Sequence, residues 1–333
     1  MKSCCVLLAL IILVLLSPSP ARASTTCSAT LTNVQFSAVD PFGSTVDVSA
    51  TLNYSCTISS ILSSSKIRMC FSIGAGAQGG GNLAPRQMSS GGNLMSFNLY
   101  KDASRSLIWG TRSDGYGAVE ATLVIGALLG SATANGSLTV YGRVPSGQTS
   151  LVPGSYSNLF SGSHTELIYQ SNEFLLGLLD YPASCTAGGN GGGSGTFAFT
   201  ASATVSASCD PAFTVNNLNF GTRGLLNANI DTTANVSPRC TNTTPYQIGL
   251  NNGLNASGST RRMKSAANAY VSYELYRDAG RSLRWGNTQN VDTVSGTGSG
   301  GAQSLPMYGR VPVQSPTPAA GVYSDTVTVT IYY

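Results

Sequence analysis

The residues of this sequence best equipped for covalent chemistry are six cysteines: Cys27, Cys56, Cys70, Cys185, Cys209 and Cys240. Their spacings contain no C-x-x-C, so neither a zinc site nor a redox dithiol follows from them. An even number behind an export signal points instead to disulfides. The carboxylates offer less. Asp102 and Asp278 each precede an arginine by three positions, Arg105 and Arg281. A catalytic carboxylate pair needs its second member about 5–10 Å away, and no spacing supplies one. A structural pair bracing a turn accounts for both copies. His164 is the only histidine. That excludes histidine-cluster metal sites and leaves one residue to act as base in any Ser/His/Asp triad. Trp109 and Trp285 read as core aromatics, not sugar platforms. No enzyme, cofactor or metal centre is expected.

The elements that position these residues are strands. Only 10% of the 333 residues are charged, 42% are hydrophobic and 38 are glycine. With abundant Ser, Thr and Asn, this composition suits many short strands joined by turns. Lys2, the apolar run Val6 to Leu16 and Ala21-Arg22-Ala23 form a secretory signal, with cleavage expected after Ala23. The run is short of the ~20 residues that span a bilayer. Cys4 and Cys5 precede it and leave with the leader. The net charge of +4 drops to +2 once Lys2 and Arg22 are lost, so neither nucleic acid nor anionic lipid is an expected partner.

The chain repeats itself. The segment from Phe97 to Gly110 matches that from Tyr273 to Gly286 at an offset of 176. Tyr141-Gly142-Arg143-Val144-Pro145 matches Tyr308-Gly309-Arg310-Val311-Pro312 at 167, as does Gly154-Ser155-Tyr156-Ser157 with Gly321-Val322-Tyr323-Ser324. Phe36 and Cys56 match Phe220 and Cys240 at 184. A period this long is a duplicated domain. Alternation in Thr326 to Tyr333 reads as a strand with one buried face, and no stretch keeps a helical period. Two β-sandwiches in series are expected. Cys209 and Cys240 then pair as the only cysteines of the second copy. Four cysteines in the first allow three connectivities. The duplication favours Cys27–Cys56, which leaves Cys70–Cys185.

The repeated Y-x-D-x-x-R-S-L-x-W-G block, followed by Y-G-R-V-P and G-x-Y-S-D, resembles the spore coat protein U domain. Two such domains in one exported chain resemble the tip adhesins of archaic, Csu-type chaperone–usher pili. The first copy departs at Asn158, where the second has Asp325. The resemblance implies an all-β fold of two tandem immunoglobulin-like, pilin-type sandwiches, the second lacking its final strand. It implies a non-enzymatic subunit carried through the periplasm to the cell surface, promoting attachment and biofilm formation. It also implies partners: a periplasmic chaperone, an outer-membrane usher, and a next pilin subunit that donates the missing strand. A structural coat or shaft subunit and a glycan-binding adhesin are the alternatives.

Boundaries follow at 1–23 for the leader, 24–187 for the first domain, 188–208 for a glycine-rich linker with a donor-like strand, and 209–333 for the second domain. In the donor-like strand Phe197, Phe199, Ala201, Ala203 and Val205 share one face. It is expected to complete the first domain, with Gly188 to Gly195 as a flexible reach. Only Ser24, Thr25 and Thr26 separate the expected cleavage site from Cys27. That is about 10 Å of chain, too short to donate to a neighbour, which argues for a terminal position. In the second domain Val327, Val329, Ile331 and Tyr333 are expected to face the core and the incoming strand. Two apolar stretches are peculiar to the first domain: Leu123, Val124, Ile125, Leu128 and Leu129; and Phe174, Leu175, Leu176, Leu178, Leu179 and Tyr181. They are expected as exposed loops that adhere to an abiotic or host surface.

Overall fold

A computed structural model of the chain describes residues 24–60, 62–128, 130–175 and 180–333. The expected leader lies outside them. The first domain is built from β1 (Ser24–Leu31), β2 (Val34–Ala38), β3 (Val46–Ser60), β4 (Ser63–Ile73), β5 (Arg86–Ser90), β6 (Asn93–Tyr100), β7 (Val119–Ala127), β8 (Gly130–Val144), β9 (Gly154–Phe160), β10 (Thr165–Leu175), β11 (Gly191–Gly195) and β12 (Phe199–Val205). The second contains β13 (Thr214–Val215), β14 (Ile230–Ser237), β15 (Pro245–Leu250), β16 (Arg261–Ser265), β17 (Tyr270–Tyr276), β18 (Val294–Thr297), β19 (Leu305–Val311), β20 (Tyr323–Ser324) and β21 (Val329–Tyr332).

Each domain is two sheets face to face. In the first they run β1-β3-β8-β6-β5-β9-β12-β2 and β11-β10-β4-β7. In the second they run β13-β14-β19-β17-β16-β20 and β18-β15-β21. Alternation explains the layers: inward residues on β9, Tyr156, Asn158 and Phe160, are buried, while Ser155, Ser157 and Leu159 between them are exposed. The two cores share no residue. One ends at Val205 and the other begins at Cys209. Disulfides join Cys27 to Cys56, Cys70 to Cys185 and Cys209 to Cys240.

The repeat is also a repeat of buried polar structure. Trp109 Nε1 donates to Phe71 O at 2.7 Å, and Trp285 Nε1 to Ile248 O at 2.8 Å. Beneath each tryptophan lies a fully buried arginine. Arg86 donates to Gly74 O (2.8 Å), Ile73 O (3.2 Å), Trp109 O (2.6 Å) and Asn98 Oδ1 (2.6 Å). Arg261 donates to Leu250 O and Trp285 O, both at 2.8 Å, to Asn251 O at 2.7 Å, and to Glu274. Desolvation pulls the Arg86 guanidinium down to about 10. Asp102 and Asp278 brace the turns through backbone N–H groups, whereas Arg105 and Arg281 form their ion pairs with Asp47 and Asp231, both at 3.3 Å. Asp102 and Asp278 each accept from two successive backbone N–H groups, of Ser106 and Leu107 or of Ser282 and Leu283. Hydrogen bonds, led by the Ser104 hydroxyl for Asp102 and the Leu283 N–H for Asp278, hold both carboxyls below the usual range.

Four expectations need correction. The glycines from 188 to 195 are not simply a flexible reach. Gly191 to Gly195 pair with β10 as an edge strand, and β12 lies inside the first domain's large sheet. Glycine serves here because a Cβ on Gly193 would meet the Tyr169 hydroxyl at 2.6 Å. Leu123 and Ile125 are not loop residues. They point inward from β7, Ile125 fully buried and Leu123 packed on the core; the Leu-Val-Ile run alternates between faces like any strand. The expected strand from Thr326 to Tyr333 is shorter, with only Val329–Tyr332 in a ladder. β20 pairs with β16 and β21 with β15, so the chain crosses between sheets at 325–328. Finally, Tyr333 does not face the core. It lies past the last ladder pair, Tyr332 with Gln247, and is 64% exposed.

Candidate functional site

In the first domain β12 fills a slot. It pairs antiparallel with β9 from Phe199↔Phe160 to Val205↔Gly154, and parallel with β2 on its other side. Phe197, Phe199, Ala201, Ala203 and Val205 are all buried. Phe199 stacks on Phe160 with centroids 4.5 Å apart, and Phe197 stacks on Trp109 at 6.2 Å.

The second domain has the slot without the strand. By the 167-residue offset β9 corresponds to β20 and the residues after it, so Tyr156, Asn158 and Phe160 correspond to Tyr323, Asp325 and Val327. β20 is an edge of its sheet. The first-domain residues are fully buried; their second-domain counterparts are half-buried. The opposite wall behaves alike. Val34 and Phe36 on β2 are buried, whereas Leu218 and Phe220 are half-exposed over Gly309. Val329 and Ile331 on β21 pack partly buried against the core. Among the described residues nothing occupies the position of β12. The result is an apolar groove flanked by strand edge, the geometry that accepts an extended segment.

One rim of this groove is held by a polar cluster. Asp325 Oδ2 accepts from the Tyr273 hydroxyl at 2.8 Å, and Oδ1 from Asn255 N and Nδ2 at 3.1 and 3.0 Å. Burial, reinforced by the Asp325 carboxylate, pushes the Tyr273 hydroxyl far above its ordinary value. The first domain substitutes both partners together. Phe97 stands for Tyr273, and Asn158 donates to Ala75 O and Gln87 O.

The second region of interest lies at the far end of the first domain. β3 and β8 are 15 residues each, about 50 Å long. The β3–β4 and β7–β8 hairpins turn at the same level, where Leu62 N donates to Leu128 O at 3.3 Å. Leu175 also ends there, paired with Ser63. Leu128 is 78% exposed and Leu62 41%. Val124 is exposed on β7 beside them, and Phe174 on β10 is half-buried. Tyr181 is half-buried under Lys66 Nζ, 5.3 Å from its ring centroid. Leu129, Leu176, Leu178 and Leu179 lie outside the described residues, and of Leu175 only the backbone is described. Leu62 escaped the sequence reading because one apolar residue in a tight turn has no periodicity. Its positive φ of 56° marks that turn.

The Spore Coat Protein U domain matches residues 13–161 and again 195–330, most of the chain. The chain belongs to this family. Protein U of Myxococcus xanthus is 37% identical over 129 residues, covering 35% of this chain and 71% of the relative. Among solved structures the fold is similar to a chain of the CsuC–CsuE chaperone–tip adhesion subunit pre-assembly complex from the archaic chaperone–usher Csu pili of Acinetobacter baumannii. Identity is 16%, the TM-score 0.51, and coverage 92% of this chain and 100% of the other. The CupB6 tip adhesin of Pseudomonas aeruginosa matches over 93% and 95% of the two chains at 14% identity and a TM-score of 0.32. The second Spore Coat Protein U match starts at 195, yet β12 folds into the first domain. The family unit and the folding unit are therefore offset by one strand.

Proposed function

We propose that this chain is the tip adhesin of a chaperone–usher pilus. One observation carries the reading: the slot that β12 fills in the first domain is open in the second. A domain with an open slot accepts a strand, first from a periplasmic chaperone and then from the next pilin delivered through an outer-membrane usher. The first domain accepts none, because its own chain completes it. It donates none from the described residues either, since Ser24 to Cys27 are already paired with β3. A subunit that accepts at one domain and donates at neither ends a filament. The Spore Coat Protein U family and the fold shared with the CsuC–CsuE complex support this reading.

The adhesive surface is the hairpin end of the first domain, remote from the open slot, where Leu62 and Leu128 project side by side. Attachment to an abiotic or host surface proceeds by burying such residues, each worth roughly 1.5–3 kcal/mol, and supports biofilm formation. Two measurements test this. Immunogold labelling of native filaments should mark ends alone; label along the shaft would make the chain a structural subunit. Leu62→Ser with Leu128→Ser should lower binding to plastic at least tenfold while filaments still form. Unchanged binding by those filaments would remove the hairpins from the adhesive surface.

A further inference from the structure

We propose that β12 is a mechanical clamp between the two domains, and that the Cys70–Cys185 disulfide sets how much chain it releases on yielding. The proposal concerns the chain under tension and holds whatever surface is bound. Strand directions come first. From β8 through β6, β5 and β9 to β12 the pairings are antiparallel at each step. β12 therefore runs parallel to β8, away from the hairpin end. Domain 2 lies beyond the opposite end: Arg239 sits over the Phe42 ring at 4.4 Å, and Asn242 Nδ2 donates to Ser150 O at 3.0 Å. Four residues after Val205 the chain reaches Cys209 and its disulfide.

Tension between the hairpin end and domain 2 thus pulls β12 along its own axis. The seven rungs with β9 and those with β2 load together, rather than parting one at a time. The Phe199–Phe160 stack must slide with them. Behind β12 stands β11, an edge strand of glycine and serine paired on one side only. Behind β11 stands Cys185, fixed to Cys70 in β4, an inner strand of its sheet. Once β12 slips, β11 offers little further resistance, and the load passes through the disulfide into β4. The segment between the two disulfides is the reserve of length. Cys209 follows Cys185 by 24 positions, at most about 85 Å when fully extended.

Optical tweezers on the full mature chain test this. Handles are attached through azide-bearing residues at Leu128 and at Ala212, which keeps the incomplete second sandwich out of the force path. The first lengthening should not exceed about 85 Å; complete extension between the handles, 84 positions apart, would approach about 300 Å. Ser155→Cys with Thr204→Cys, facing each other across β9 and β12, should abolish the first step when oxidised and restore it when that bond is absent. Cys70→Ser with Cys185→Ser should lengthen the first step if that variant folds. A first step well beyond 85 Å in the native chain would overturn the disulfide stop. An unchanged first step in the oxidised β9–β12 variant would overturn the clamp.

Discussion

Tyr156, Asn158 and Phe160 are buried, whereas Tyr323, Asp325 and Val327, at the same places in the second copy, are half-exposed. One of these three pairs is identical and another is apolar in both copies, and the frame beneath them is common to both domains: an indole bonded to a carbonyl, and an arginine under it. The burial difference therefore comes from a neighbour, not from the residues. One domain has β12 beside it, and among the described residues the other has no strand at that place. A sequence can carry the pattern of a core residue without the chain supplying what covers it.

The largest expected effect closes the gap. A donor segment of alternating apolar residues joined after Tyr333 should stabilise domain 2 by about 5 kcal/mol or more, a rise on the order of 15 °C in Tm. Trp285 fluorescence in a Trp109→Phe background follows domain 2 alone, as each domain holds one tryptophan. An unchanged Tm would mean that the slot is closed in solution. The converse change opens the first domain. Phe199→Ala removes the ring stacked on Phe160 and should cost about 3–5 kcal/mol. Val327→Ala, already half-exposed, should cost only about 1 kcal/mol in the uncomplemented chain. Equal costs in urea unfolding would contradict the contrast between the domains.

A third prediction concerns the buried arginines. Arg86 relies on neutral acceptors and Asn98, while Arg261 shares Glu274 with Arg284. The counterpart of Arg284 in the first copy is Ile108. Glu274→Gln leaves two cations around a neutral amide and should cost about 2–4 kcal/mol. Adding Arg284→Ile recreates the first-domain arrangement and should recover part of that loss. Strictly additive effects in the double-mutant cycle would show that the three side chains are not coupled.

The smallest effect is one of pH. The hydrogen bond from Arg143 holds the Asp47 carboxyl below its ordinary value, as that from Arg310 does for Asp231. A depressed folded pKa adds stability above the unfolded value near 3.9, and the gain is lost as pH falls through the folded pKa. Both domains should weaken slightly below about pH 4. Asp47→Asn should flatten the acid limb for the Trp109 signal and leave that of Trp285 unaltered. A flattening of both would tie the two domains into one titrating unit.

Much of this architecture was legible because it is written twice. The offsets align Trp109 with Trp285 and Cys56 with Cys240, and the alternation from Phe197 to Val205 marks β12 as a half-buried strand. What escaped has physical reasons. Arg86 and Arg261 carry charges, which composition assigns to the surface, although each is enclosed by carbonyls; the shared Arg-x-Met in Arg86-Gln87-Met88 and Arg261-Arg262-Met263 was the available signal. β11 is nearly all glycine, which reads as flexible; its strand exists because the edge of β10 needs hydrogen-bond partners and Tyr169 leaves no room for a side chain. Leu123 and Ile125 passed for a loop because Val124 between them is also apolar. Outward apolar positions hide a period of two.

The one-strand offset between family unit and folding unit has an evolutionary reading. If the inherited module is a leading strand plus an open sandwich, two modules joined head to tail in one gene complete each other without any new contact. The strand that led the second falls into the slot of the first. Such a fusion changes a reversible subunit pairing into a covalent one and leaves a single open slot, at its trailing end. The strand that led the first module would still be free to donate, so an end to the polymer needs its loss as well as the fusion.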